Sequence, residues 1–299
     1  MKIGVIGASS AIAQKAYLPV YASLQATHEF VIYSRELSKA EAIRARFGFS
    51  GAADTLSALT ECDAVAIHAA TRAHFELAKR FLSAGIPVFM DKPISENLAE
   101  AEELLAIAKK NQLLFMVGFN RRFAPQVDKL KAISDKNFIQ TTKNLIDGRG
   151  EPRFKLFDVF VHPLDTLIYL LDAPIISWDG RLKTDENGHV TRVLVQLETA
   201  HTTGLATMNL HAGAYSEEFT VSSPTGTHRV SDLTHYEHLE NYSRQLIEAN
   251  GWHSAPENRG FTQMIDAFLS ALTAPKAVDL RQDNVLLSHQ IITELLEKR

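Results

Sequence analysis

Apolar and polar positions change their period once along the chain. Up to residue 118, short apolar runs alternate with helical stripes. Residues 2–6, 30–33, 64–68, 86–90 and 113–117 are strand-sized and bounded by glycine, proline or polar turn residues. Continuous apolar runs of that length read as strands buried on both faces. Between them, apolar residues recur at three- and four-residue spacing over 10–24, 38–47, 74–84 and 98–110, with a short helical piece at 56–60. Pro19 is expected to bend the first helix, Thr71 to lead into the third, and Ser95 or Asn97 to cap the fourth. Strands alternating with helices in this way make a doubly wound parallel sheet.

The pattern changes after Pro125. A helix over 124–133, a strand over 139–146, a Gly/Pro-rich loop at 148–152 and a helical stretch over 155–171 come first. Alternating runs at 175–183, 190–199, 204–211 and 219–223 then predict an open, largely antiparallel sheet with one face covered. Helices over 261–272 and 283–298 close the chain. The fold class is α/β: a doubly wound domain over 1–120, then an α+β domain over 121–299, with the terminal helices free to pack back on the first.

Two apolar runs of the first domain end in polar clusters, Asp91-Lys92-Pro93 and Asn120-Arg121-Arg122. The strand–helix–strand between them has the length of a right-handed parallel crossover. Such sheets bind ligands outside the carboxyl ends of their strands, which is where both clusters fall. Pro93 fixes the chain direction after Lys92, a candidate acid, base or substrate anchor. Arg122 reads as structural.

Composition narrows the function classes. At 299 residues the length suggests about two domains, and 45% hydrophobic with 22% charged residues is ordinary for a globular protein. A net charge of −4 without a long basic run argues against nucleic-acid or membrane-surface partners. Cys62 is the only cysteine, which excludes an internal disulfide and a cysteine-based metal cluster and fits a reducing compartment. The first apolar run is too short for a signal-peptide core, and none approaches the roughly 20 apolar residues of a membrane span. A cytoplasmic protein acting on a small-molecule substrate is expected.

The turn after the first strand reads Gly7-Ala8-Ser9-Ser10-Ala11-Ile12-Ala13. A dinucleotide site wants G-x-G-x-x-G/A there, so that the backbone can approach a pyrophosphate at a helix N-terminus. The first glycine is kept, Ser9 takes the place of the middle one, and the segment is one residue longer. Small residues still let the backbone close on a phosphate, and the Ser9 and Ser10 hydroxyls can donate to it. A plain strand–helix turn with a serine cap is the other reading. At the end of the second strand stand Ser34 and Arg35, with Lys39 nearby. An acid there would accept from a ribose 2′-hydroxyl, whereas a cation with small polar groups suits a 2′-phosphate. NADP is therefore expected ahead of NAD.

Taken together, KIGVIG at 2–7, AIAQKAYLPV at 11–20, HAATRAHF at 68–75, MDKPISENLAEAEELL at 90–105, MVGFNRRFAP at 116–125 and DVFVHPLDTLIYLL at 158–171 resemble the Gfo/Idh/MocA family of NAD(P)-dependent oxidoreductases. AQKAYLPV with VGFNRRFAP, and GW at 251–252 followed by NRGF at 258–261, are similar to its MviM-like branch. The resemblance implies a Rossmann domain for the cofactor and a second domain whose open sheet walls the substrate site. A homodimer or homotetramer follows from it too.

It implies Lys92, from an E/D-K-P motif, and Asp158 and His162, from D-x-x-x-H, as catalytic residues. With the residues read above, the cofactor set is Gly7, Ser9, Ser10, Ala11, Ile12, Ser34, Arg35, Ala69, Ala70, Thr71, His74, Asp91, Lys92, Asn120 and Arg121. The substrate set is Lys92, Arg121, Arg153, Asp158, His162 and His211. The spacing agrees: Asp158 and His162 are i and i+4 on one helix face, and Asp165 extends the stripe. The family's glycine run before D-x-x-x-H is replaced by Arg153-Phe154-Lys155-Leu156-Phe157, which points to an anionic substrate contacted by Arg149 and Arg153.

The reaction expected is hydride transfer between nicotinamide and a sugar- or cyclitol-like carbinol or carbonyl. His162 would be the general acid/base, Lys92 would hydrogen-bond the reacting oxygen, and Asp158 would orient it. A non-catalytic dinucleotide-binding sensor is the competing class. A zinc site built on Asp158 and His162 would need a third ligand from His201, His211, His228, His235 or His238, and without paired ligand spacing no metal is expected.

Overall fold

Six apolar segments lie side by side in one parallel sheet: β1 (Lys2–Ile6), β2 (Glu29–Tyr33), β3 (Gly51–Ala53), β4 (Ala64–Ile67), β5 (Val88–Asp91) and β6 (Phe115–Gly118). Their order is β3-β2-β1-β4-β5-β6. Every neighbouring pair is parallel. This computed structural model describes residues 1–248 and 251–298. Four helices join these strands: α1 (Leu18–Ser23), α2 (Leu37–Phe47), α3 (His74–Ser83) and α4 (Leu98–Asn111). Val5, Ile32, Val65, Val88 and Met116 are fully enclosed, as a sheet covered on both faces requires. β3 carries no β-branched residue, so propensity gave no sign of it. The bend expected at Pro19 takes another form. A π-turn over Ala13–Tyr17 precedes α1, and Pro19, which has no N–H to donate to that turn, is the second residue of α1. Asn97 is the cap of α4, its side chain accepting from the Ala99 N–H at 3.0 Å.

The rest of the chain begins with α5 (Pro125–Lys131), β7 (Phe138–Asn144), α6 (Pro152–Lys155) and α7 (Val161–Leu170). Seven strands follow: β8 (Ser177–Thr184), β9 (Val190–Glu198), β10 (Thr203–Asn209), β11 (Ser216–Ser223), β12 (Gly226–Ser231), β13 (His235–Glu240) and β14 (Ser243–Glu248). They form an eight-stranded sheet with β7, in the order β14-β13-β12-β11-β7-β10-β9-β8. It is antiparallel except for β7 and β10. One face is buried, with Ile139, Val195, Ala206, Phe219 and Val221 enclosed, and Thr141 on it donates to the Pro163 carbonyl of α7 at 2.9 Å. On the other face Phe138 and Leu194 stay exposed.

Three helices remain: α8 (Ala255–Asn258), α9 (Phe261–Thr273) and α10 (Leu287–Glu297). Residues 1–118 with 261–282 form one compact unit, and 119–260 with everything from 283 onward form a second. In the first unit, Phe261 and Phe268 of α9 meet Tyr17 and Phe89, with ring centroids 5.0 and 5.4 Å apart. In the second, His289 of α10 lies between Phe119 and Phe157. Among the described residues no helix is long and apolar enough to cross a membrane.

Candidate functional site

In the first unit the turn after β1 meets the start of a helix. Gly7 has φ +80°, and a Cβ there would lie 2.3 Å from the Ala69 nitrogen, so only glycine lets the turn pass the loop after β4. The Ser10 N–H donates to the Gly7 carbonyl at 3.0 Å, and the Ser10 hydroxyl accepts from the Ala13 N–H at 3.2 Å. Gln14 donates to the Ala8 carbonyl at 2.8 Å and is itself held by Arg46. Ser9, Ala11 and Ile12 remain exposed at the rim. The first amides of a helix have no intrahelical acceptor, so this turn offers N–H groups, a positive dipole end and a free hydroxyl. Those features fit a pyrophosphate. The Ser10 oxygen accepts from the helix, and its O–H is left to donate.

Ser34 and Arg35 end β2. Ser34 is fixed by donating its N–H to Ala53 at 3.1 Å, and Arg35 is exposed with no carboxylate paired to it among the described residues. Lys39 is held by Glu36 at 2.7 Å.

At the end of β5, Asp91 is buried. Its Oδ1 accepts from the Tyr17 hydroxyl at 3.1 Å and from the Lys92 N–H at 2.8 Å. Burial pushes the Asp91 carboxyl up, and the nearby Lys92 opposes the shift. Lys92 is half-buried, and the bond to Pro93 is cis. His68 is stacked on Tyr17 at 3.9 Å, and its Nε2 bonds the Tyr21 hydroxyl at 2.9 Å. Enclosure lowers the His68 pKa to about 3. The resemblance implies that His74 binds the cofactor, together with Ala69, Ala70 and Thr71. Its ring is instead interior, with Nδ1 on the Pro93 carbonyl at 2.8 Å and Nε2 on the Ala69 carbonyl at 2.9 Å. It braces the two loops, leaving Ala70 exposed and Ala69 and Thr71 half-buried.

The second unit gathers a different cluster. Arg121 lays Nε and Nη2 on the two Glu217 oxygens at 2.5 and 2.9 Å, and its Nη1 reaches Asn120 Oδ1 at 3.2 Å and His162 Nδ1 at 2.8 Å. Lys143, the cross-strand partner of Glu217, adds an ion pair at 2.9 Å. Burial alone would raise the Glu217 pKa, but Arg121 and Lys143 hold it at about 2. Asn120 donates to the Arg259 carbonyl at 2.8 Å. The chain can close there because Gly260, at φ +80°, brings its Cα against the Asn120 oxygen, where a Cβ would sit 2.3 Å away.

Asp158 and His162 are half-buried, but the helix between them is not regular. A π-turn over Leu156–Phe160 leads into α7. Its wider bonding pattern rotates the faces and breaks the i, i+4, i+7 stripe. Asp165 consequently does not extend it. Asp165 turns inward and grips Arg122 through two bonds of 2.7 and 2.9 Å, with both side chains almost wholly enclosed. Arg153 is exposed on α6, and His211 is exposed in the loop after β10.

Sequence reasoning passed over Glu217 and Lys143. A signal existed: each occupies the apolar phase of its strand, Lys143 with Ile139 and Thr141, Glu217 with Phe219 and Val221. A charge in that phase demands a partner. Tyr17 and Tyr21 lie one helical turn apart and were equally visible. No group of three or more His, Cys, Asp or Glu gathers as metal ligands among the described residues.

Residues 1–119 match the model of the oxidoreductase family GFO_IDH_MocA, described as an NAD-binding Rossmann fold. The putative oxidoreductase YceM of Salmonella typhimurium is 27% identical over 298 residues, 99% of this chain and 97% of its own length. Inositol 2-dehydrogenase of Rhizobium meliloti is 37% identical over 111 residues, 37% of this chain and 30% of its own. The crystal structure of the dehydrogenase MviM from Clostridium difficile superposes with a TM-score of 0.92 at 25% identity, covering 100% of this chain and 99% of that one.

Proposed function

The chain belongs to the Gfo/Idh/MocA family of NAD(P)-binding oxidoreductases, and on that premise we propose that it moves hydride between a nicotinamide cofactor and the carbinol or carbonyl of a sugar- or cyclitol-like molecule. The observation that carries this reading is the turn Gly7–Ile12: a left-handed glycine pressed on the loop after β4, opening into exposed helix amides. Gly7, Ser9, Ser10, Ala11 and Ile12 would hold the pyrophosphate. Arg35 with Ser34 would take a 2′-phosphate, which favours NADP over NAD. When bound, the cofactor supplies the hydride chemistry; the protein supplies orientation and proton handling.

Lys92 and His162 are the groups of each unit suited to a reacting oxygen, with Asp158 orienting the substrate. Ser9 in place of a glycine favours a second reading, a sensor that binds dinucleotide without turnover. A second copy of the chain covering the exposed sheet face with Phe138 and Leu194 is part of the proposal.

Titration with NADPH and NADH, followed by nicotinamide fluorescence and thermal shift, tests it. Tight NADPH binding is expected, and binding of neither overturns the enzyme reading. With a substrate in hand from a sugar and polyol screen, Lys92→Ala is expected to cut kcat by about 10²–10⁴-fold. Full turnover in both Lys92→Ala and His162→Ala would remove these residues from the mechanism.

A further inference from the structure

We propose that Glu217 is a positioning residue for His162: through Arg121 it fixes the imidazole in the neutral form that carries its proton on Nε2, so that His162 donates a hydrogen bond and does not accept a proton. The sequence pointed to His162 as the general acid/base. The geometry reassigns it.

Arg121 Nη1 lies 2.8 Å from His162 Nδ1. A guanidinium has donors and no acceptor, so Nδ1 must present its lone pair, and a neutral ring then bears its hydrogen on Nε2. This holds only while Arg121 stays in place. Its other two nitrogens are locked on both oxygens of Glu217, at 2.5 and 2.9 Å, and Asn120 Oδ1 accepts from Nη1 as well. Glu217 is 4% exposed, and two cations, Arg121 and Lys143, face it. Such a carboxylate cannot leave without stranding both of them, so the fork is stiff. A bidentate pair also sets the plane of the guanidinium, and with it the direction of Nη1.

The consequence for catalysis rests on the proposed function. In the carbinol-to-carbonyl direction a proton leaves the substrate hydroxyl together with the hydride. An Nε2–H ring has no site for that proton; it steadies the oxygen as a donor. Proton transfer then falls to a group other than His162.

The test needs neither cofactor nor substrate, so its failure is separate from failure to bind NADPH. In protein with ¹⁵N-labelled histidine, two-bond ¹H–¹⁵N spectra distinguish a protonated from an unprotonated ring nitrogen, and His162→Gln identifies the resonances. His162 is expected to show an unprotonated Nδ1 and a protonated Nε2. In Glu217→Gln that single-form pattern is expected to be lost to a mixture, while Lys143→Met, which leaves the Arg121 fork, keeps it. A protonated Nδ1 in the unmodified protein overturns the proposal, whatever the variants do. An unchanged pattern in folded Glu217→Gln overturns the role of Glu217.

Discussion

The two units handle buried polarity in opposite ways. In the first, the enclosed polar side chains among the described residues are His68, His74, Asp91 and Ser95, and hydroxyls and main-chain groups serve them, with one carboxylate, Glu100, on Ser95. In the second, Arg121, Arg122, Lys136, Asp165, Glu217 and Glu237 are all enclosed, and ion pairs serve them. A parallel sheet covered by helices on both faces leaves almost no room for charge, so the first unit keeps its unpaired cation Arg35 at the rim. The second unit spends desolvation on fixed charge. Buried pairs add little net stability against apolar replacements of the same shape, but they hold geometry, and losing one partner is costly. The contrast separates a unit with few enclosed charges from one whose enclosed side chains are held by ion pairs.

The largest effect should come from splitting the most enclosed pair. Arg122→Met leaves the Asp165 carboxylate uncompensated and is expected to cost about 3–5 kcal/mol in urea unfolding. Adding Asp165→Leu should return much of that loss. If Arg122→Met alone is neutral, buried charge does not organise the second unit.

The interior of the first unit is tested through pH. His68 titrates near 3 when folded, against 6.5 when exposed. The unfolded chain therefore takes the proton first: the His68 contribution is complete above pH 6.5 and is lost as pH falls towards 3. By pH 3 the loss is on the order of 4 kcal/mol. His68→Phe keeps the stack on Tyr17 but strands the Tyr21 hydroxyl, for a cost of about 1–3 kcal/mol at pH 7.5. The two stability curves should meet and cross as pH falls below 6.5, with His68→Phe the more stable by pH 4. Parallel curves would mean that His68 already binds a proton in the fold.

The smallest effect on stability belongs to the rim. Arg35→Ala should stay within about 0.5 kcal/mol of the unmodified protein. It should weaken NADPH binding about tenfold and leave NADH unchanged, a loss near 1.4 kcal/mol. Equal weakening of both cofactors would remove Arg35 from 2′-phosphate recognition.

The sequence by itself determined whatever repeats locally. Continuous apolar runs separated by three- and four-residue stripes specify a parallel sheet, because each element needs only its own residues to show which faces are buried. Five of the six strands, a cap for α4 at Ser95 or Asn97, and the glycine of the turn after β1 follow from that logic. β12 to β14 escaped it: GTHRVS, HYEHLE and SRQLIE are polar, and they pair as strands only because a neighbouring edge is offered. The sequence also placed Asp158, His162 and Asp165 on one stripe, and the π-turn at Leu156–Phe160 undid it. Only the tertiary structure could join Arg121 to Glu217, 96 residues away, or Arg122 to Asp165, 43 residues away. A charge in an apolar phase announces that it needs a partner; which partner meets it depends on the folded chain.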